Sequence, residues 1–120
     1  MKKRKFNIIL ITDDTKNEYN LLGNYDEENN IITYNESGSI ITSMTLDLNQ
    51  KTLIRENKDY LIKYNLLENE ETVNQVIMKE LNKTLDIKIK TEKFEVSKDK
   101  IEIIYILLDS NEKIIYTINM

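Results

Sequence analysis

Short stretches in which apolar and polar residues alternate make up most of the chain, and turn-like clusters separate them. The clearest stretch spans residues 39–48, where Ile40, Thr42, Met44, Leu46 and Leu48 alternate with mostly polar neighbours. A period of two places these two sets of side chains on opposite faces of a strand. Because the pattern recurs to the C-terminus, it predicts an all-β protein built from antiparallel strands.

The alternation predicts strands at nine places: 6–12, 19–25, 31–35, 39–48, 52–55, 60–66, 84–96, 101–108 and 113–119. The apolar phase shifts within residues 84–96, which indicates a β-bulge before Phe94. Asn49-Gln50 is a candidate for a two-residue hairpin turn. Glu36-Ser37-Gly38 is expected to turn the chain into the strand that begins at Ser39.

A tenth segment, residues 69–82, has an ambiguous period. Val73, Val76, Ile77 and Leu81 have the spacing of a helical face, and Asn69 is a candidate N-cap. The same residues also fit a strand over 72–79. Periodicity leaves both alternatives open.

Many evenly spaced strands with little helix are typical of a sandwich or a barrel. Both ends of the chain are strongly apolar, and pairing the last strand with the first would remove the exposed edges of the sheet. The length of 120 residues fits one domain. We therefore expect a single domain over residues 1–120, an antiparallel closed or nearly closed barrel of eight to ten strands.

The order of several motifs resembles a known family. These motifs are Leu22-Gly23-Asn24-Tyr25, then Ile32-Thr33-Tyr34-Asn35-Glu36, then Thr45–Leu48 before Leu53–Asn57, and finally Ile87–Thr91 before Ile101–Leu108. Together they resemble the YwiB-like family of small bacterial proteins, which form a calycin-like (lipocalin-like) β-barrel. The family usually has a glycine-containing turn where Glu80-Leu81-Asn82-Lys83 stands here. The resemblance implies the barrel and favours a strand at 72–79, but it implies no activity, ligand or catalytic residue.

The composition argues against an enzyme. The chain has no His and no Cys, so the commonest bases, nucleophiles and transition-metal ligands are missing. With two glycines it has no glycine-rich phosphate loop. The acidic clusters at 26–28 and 68–71 lack the spacing of a calcium loop. We expect a non-enzymatic protein without a metal or cofactor.

Net charge and hydropathy limit the classes of partner that the protein is expected to bind. A net charge of −4 is unfavourable for binding nucleic acid, which needs clustered Lys and Arg. No apolar run approaches the roughly 18 residues of a membrane span. The basic start at Lys2–Lys5 is followed by an apolar stretch that Asn7 interrupts and Asp13 ends, unlike a signal peptide. We expect a cytoplasmic protein that binds neither nucleic acid nor membranes.

Tyrosines in strands are the best candidates for a binding site. A small barrel is either filled by its own side chains or holds one small ligand, and tyrosines offer apolar walls with hydroxyl groups. We select Tyr34, Tyr60 and Tyr64 as contacts for a small amphiphilic or apolar ligand, with Arg55 near the barrel mouth to meet a carboxylate or phosphate. The alternative is that the tyrosines pack the core and that Arg55 pairs with a neighbouring Glu or lies in solvent.

The first, ninth and tenth strands are apolar on both faces, although one face of a barrel wall looks outward. The outward set, if uncovered, would leave a large apolar patch. If residues 72–79 form a strand, we expect a homodimer to cover this patch. The predicted interface comprises Ile9, Ile11, Ile104, Ile106 and Ile115. Self-association or protein interaction through this face is therefore the alternative function.

Overall fold

The structure is a computed structural model that describes residues 2–36 and 40–120. Ten antiparallel strands pair with their sequence neighbours, and the first pairs with the tenth to close a barrel. The strands are β1 (Lys2–Thr12), β2 (Thr15–Asp26), β3 (Ile31–Glu36), β4 (Thr42–Asp47), β5 (Thr52–Glu56), β6 (Tyr60–Asn65), β7 (Glu71–Met78), β8 (Lys83–Val96), β9 (Lys100–Leu107) and β10 (Glu112–Asn119). The prediction of an all-β antiparallel barrel is confirmed.

The ambiguous segment is strand β7, so the helical alternative is wrong. It pairs with β8 along its whole length, from Glu71 opposite Lys90 to Met78 opposite Lys83. Asn74 and Val76 face inward and are buried, whereas Val73 and Ile77 are exposed. The apolar residues with helical spacing therefore lie on the two faces of a strand, and an alternating inner face decides the structure.

The structure differs from the prediction at one strand end and at one turn. β4 begins at Thr42, and Ile40 and Ile41 are exposed before it; the predicted turn at 37–38 and strand start at Ser39 lie outside the described residues. The β4–β5 loop has four residues rather than two, because Asp47 pairs with Thr52. An Asp47 Oδ1 atom accepts the N–H groups of Asn49 and Gln50, each at 3.0 Å, which stabilises this longer loop. The predicted bulge in β8 is confirmed between Thr91 and Lys93.

The inside of the barrel has two halves. The half next to the β2–β3, β4–β5, β6–β7 and β8–β9 connections is called the lower half. The half at the opposite rim is called the upper half. Large apolar side chains fill the lower half and the middle of the barrel, and they are almost completely buried. They are Phe6, Ile32, Leu46, Leu66, Ile89, Ile101, Ile103 and Ile118. This core supplies most of the hydrophobic stabilisation, because each such side chain contributes roughly 1.5–3 kcal/mol when it is fully buried.

Gly23 permits close packing at the point where β2 begins to pair with β3. A Cβ atom added there would lie 2.5 Å from the Phe6 ring and 2.8 Å from the carbonyl oxygen of Thr33. Both distances are far below van der Waals contact. The glycine therefore lets the Phe6 ring and the β3 main chain approach β2 together.

Several neighbouring strands of the barrel are paired over only part of their length, among them β2 with β3 and β6 with β7. β2 pairs with β3 only from Asn24 to Asp26, so the main chain of residues 15–23 has no strand partner on that side among the described residues. β6 pairs with β7 only from Tyr60 to Ile62. In the unpaired part of β6 and β7, the buried Asn74 side chain substitutes for main-chain pairing. Its Oδ1 accepts the N–H of Asn65 at 2.8 Å, and its amide donates to the hydroxyl of Thr72 at 3.0 Å.

Candidate functional site

The upper half of the barrel contains a cavity of about 40 Å³. Five tyrosines from five strands line it together with an ion pair and several apolar side chains. The polar lining consists of Tyr19, Tyr34, Glu36, Arg55, Tyr64, Tyr105 and Tyr116, and the apolar lining of Ile8, Leu10, Met44 and Leu53. We call this space the tyrosine chamber. It differs from the lower core in combining hydroxyl groups and charges with apolar walls.

Strand alternation directs these side chains inward. Arg55 shares its face of β5 with Leu53, which is buried, and pairs across the sheet with Ile62 of β6. Leu53 lies opposite Tyr64 in the same ladder. Residues directly opposite in an antiparallel pair point to the same side. Arg55 is therefore an inward-facing cation near the upper rim.

A carboxylate already partners this cation. Arg55 Nη2 lies 3.0 Å from Glu36 Oε1, with side chains 38% and 17% exposed. The Tyr19 hydroxyl donates a hydrogen bond to Glu36 Oε2 at 3.2 Å. The Arg55 guanidinium also lies over the Tyr60 ring, 5.9 Å from its centroid. The buried Arg55 Nε has no hydrogen-bond partner among residues 2–36 and 40–120.

The tyrosines of the chamber are neutral at physiological pH. Burial, followed by the charge of Glu36, raises the pKa of Tyr19 to about 12. Burial likewise raises the pKa of Tyr64 and Tyr105 above the usual value. The hydroxyls of Tyr34 and Tyr116 form a buried hydrogen bond with each other, and burial raises the pKa of both. The chamber therefore offers hydrogen-bonding hydroxyls around one cation, and its tyrosines are poor bases or nucleophiles.

The structure brings three of the four predicted ligand contacts to the chamber: Tyr34, Tyr64 and Arg55. Tyr60 lies beside Arg55 rather than on the cavity wall. Sequence reasoning did not select the other four polar residues of the chamber, namely Tyr19, Glu36, Tyr105 and Tyr116. Three of them were visible as tyrosines that alternate with outward residues. Glu36 had been placed in a turn, and nothing local in the sequence indicates its ionic contact with Arg55.

The five predicted interface isoleucines lie on the outer face. Ile11 pairs with Ile115, and Ile115 pairs with Ile104, so these three form a row across β1, β10 and β9. Ile9 and Ile106 lie two residues farther along β1 and β9. All five are partly buried. The most exposed large apolar side chains lie elsewhere, at Leu22, Ile41 and Leu81.

The described residues contain no group of three or more acidic side chains placed to hold a metal ion. Within 2–36 and 40–120, there is no helix with the length and apolarity needed to cross a membrane.

Comparison with known proteins identifies a fold and no activity. The fold is similar to the crystal structure of the YwiB protein from Bacillus subtilis, with a TM-score of 0.67 over 98% of this chain and 90% of that chain. The sequence identity is 14%, so the likeness supports a YwiB-like fold alone. No family model matches the chain, and no curated protein matches its sequence.

Proposed function

We propose that the protein is a calycin-like, non-enzymatic binding protein of the cytoplasm. Its ligand is a small amphiphilic molecule that places a carboxylate in the tyrosine chamber. The observation that carries this proposal is the inward-facing Arg55, whose side chain is paired with Glu36 and surrounded by neutral tyrosine hydroxyls. A guanidinium matches a carboxylate in shape and charge, so an external carboxylate can replace the internal one.

The size of the chamber requires such a replacement. A cavity of about 40 Å³ holds roughly three water molecules. Glu36 is the last residue of β3, where β3 no longer pairs with β2, and its side chain can rotate away without breaking a β2–β3 main-chain hydrogen bond. Its departure frees both space and the cation, and a ligand carboxylate then restores the charge balance.

The apolar walls of the chamber suit the carbon atoms that lie next to the carboxylate of such a ligand. Leu10, Met44 and Leu53 line it beside the polar groups. The Tyr64 and Tyr105 rings lie 5.5 Å apart between centroids, with their planes tilted by 39°. The first carbon atoms of an alkyl tail would contact these walls, while Arg55 and the nearby hydroxyls hold the carboxylate. This division of contacts is typical of small-molecule sites.

The test compares octanoate with octanol, which has a chain of the same length and no charge. Both are titrated into the protein and followed by two-dimensional NMR and calorimetry. We expect octanoate to bind, octanol to bind at least tenfold more weakly, and Arg55→Met to abolish the difference. Glu36→Gln weakens the internal competitor and should strengthen octanoate binding. Equal affinity of octanoate for the wild type and Arg55→Met would refute the proposal, as would a failure of Glu36→Gln to bind it.

The outer isoleucine row favours a second candidate function, a protein-interaction or self-association surface. Ile11, Ile115 and Ile104 are contiguous on the outer face of the sheet, and clustered outward apolar residues mark interaction sites. Replacing Ile115 by Thr keeps a β-branched residue and removes apolar area. Loss of a complex in light scattering for Ile115→Thr, with binding of octanoate unchanged, would favour this second candidate.

A further inference from the structure

Among residues 2–36 and 40–120, the upper part of β2 has no strand partner on the side that faces β3. β2 pairs with β1 along its whole length, from Thr15 opposite Thr12 to Tyr25 opposite Lys2. On its other side, pairing with β3 begins only at Asn24. Unpaired strand edges present rows of N–H and C=O groups that can accept another strand. Residues 15–23 therefore offer a template for strand addition among the described residues.

The register shows which main-chain groups point to this edge. Thr12 and Thr15 close a two-residue hairpin loop, so they form a hydrogen-bonded pair, and such pairs alternate along an antiparallel ladder. Odd-numbered residues of β2 consequently bond to β1. The N–H and C=O groups of Lys16, Glu18 and Asn20 point to the open edge. A second strand could form hydrogen bonds with these groups.

The side chains of the same residues favour a second copy of this strand. Lys16 and Glu18 are exposed on the outer face, with side chains 60% and 47% accessible, and form a loose ion pair at 3.7 Å. In an antiparallel pair related by a twofold axis at Asn17, Lys16 lies opposite Glu18 of the second copy, and Glu18 opposite Lys16. Shifting the axis to Glu18 would place two glutamates opposite each other, which is unfavourable.

Other edges without a strand partner among the described residues lack this complementarity. β8 pairs with β9 only from Ile89 onward, and the Lys88 carbonyl oxygen already accepts the N–H of Leu108. Self-pairing of the remaining residues about Leu85 would place Thr84 opposite Asp86 and would match no opposite charges.

β1 pairs with β10 only from Asn7 onward, so its first residues also have a free side. The residues around that edge are basic, with Lys3, Arg4 and Lys5 in succession, and a second copy would be repelled. The edge of β7 beside β6 is occupied by the Asn74 side chain. The β2 edge is therefore the best candidate for self-pairing.

We infer that two copies of this protein associate through antiparallel pairing of the upper parts of their β2 strands, with the twofold axis at Asn17. The contact is built from main-chain hydrogen bonds at residues 16 and 18 and from two Lys16–Glu18 pairs between copies. It is independent of the ligand proposal and of the isoleucine row. It is small, so the dimer is expected to be weak and to exchange rapidly.

The absence of cysteine makes a register test direct. At the axis, the two Asn17 residues form a non-hydrogen-bonded pair with Cα atoms about 4.5 Å apart, a separation that a disulfide spans. We expect Asn17→Cys to oxidise readily to a covalent dimer. The control, Asn20→Cys, should remain largely monomeric, because its partner position lies about six residues farther along the strand, roughly 20 Å away. Equal cross-linking of both variants, or none of Asn17→Cys, would overturn the inference.

A charge exchange provides a second test without a covalent bond. Lys16→Glu alone and Glu18→Lys alone each place like charges opposite each other at two points, and each should weaken self-association about tenfold. Mixing the two variants should give a heterodimer, because each supplies the charge that the other lacks. Analytical ultracentrifugation measures all three samples, and circular dichroism shows whether each variant is folded. Self-association that is unchanged in both single variants would overturn the inference.

Discussion

Replacing Asn74 by alanine should open the lower part of the barrel wall between β6 and β7. Asn74 is 2% exposed, and its side chain connects segments whose main chains do not pair. In the wild type, its Oδ1 atom accepts the main-chain N–H of Asn65 at 2.8 Å and the side-chain amide of Asn65 at 3.0 Å. Its own amide donates to the Thr72 hydroxyl. Alanine removes all of these contacts.

The cost follows from the group left without a partner. The main-chain N–H of Asn65 loses its side-chain acceptor, whereas the Thr72 hydroxyl still donates to the carbonyl oxygen of Asn65 at 2.9 Å. A buried polar group without a partner costs about 1–3 kcal/mol, and this is the expected loss of unfolding free energy. For a domain of this size, 3 kcal/mol corresponds to a decrease in melting temperature of roughly 10–15 °C.

Thermal and urea unfolding followed by circular dichroism measures this loss, and hydrogen exchange locates it. In the variant, the Asn65 amide should exchange much faster than the amides of the β7–β8 ladder. The matched control is Asn20→Ala, which removes an exposed asparagine that bonds to Asn7 on the surface; its effect should be within about 0.5 kcal/mol. Retention of both wild-type stability and Asn65 protection in Asn74→Ala would show that the side chain does not hold the two strands together.

Two other predictions concern packing and pH. Gly23→Ala should cost about 1–3 kcal/mol, because the new methyl group would overlap the Phe6 ring and the carbonyl oxygen of Thr33; unfolding in urea checks this, and an unchanged midpoint would contradict it. The buried tyrosines have a higher pKa in the folded than in the unfolded protein. Their contribution to stability is complete below the unfolded pKa of about 10 and is lost as pH rises through the folded values. Stability measured from pH 8 to 11.5 should fall above pH 10, and Tyr105→Phe should reduce that fall; an equal fall in both proteins would contradict this cause.

The alternation of apolar and polar residues was sufficient to predict the barrel, because the inward-facing residues of each strand recur at every second position. β7 illustrates this: Asn74 and Val76 alternate with exposed residues, and the competing helical spacing of Val73 and Ile77 belongs to the outer face. The bulge in β8 was also predictable, since a shift of apolar phase at Phe94 requires an extra residue.

The tyrosine chamber was only partly predictable, because its contacts join residues distant in sequence. Tyr34 meets Tyr116, which lies 82 residues away, and Arg55 meets Glu36 across β4. The inward direction of each side chain follows from strand period, but its partner depends on barrel closure. The prediction of a two-residue turn at Asn49-Gln50 was wrong for a different reason. The Asp47 side chain stabilises a four-residue loop, and Asp47 lies outside the dipeptide on which the prediction was based.

The β1–β10 pairing has a consequence for how the chain folds. All other strand pairs join neighbours along the sequence, whereas β1 and β10 bring together residues such as Asn7 and Asn119, which are 112 positions apart. Contacts of long sequence separation have the highest entropic cost of closure, so we expect this pair to form last. Until then the chain is an open sheet whose two free edges carry apolar side chains, such as Ile9, Ile11 and Ile115. Refolding should therefore lose yield to aggregation as protein concentration rises, until β1 and β10 have paired.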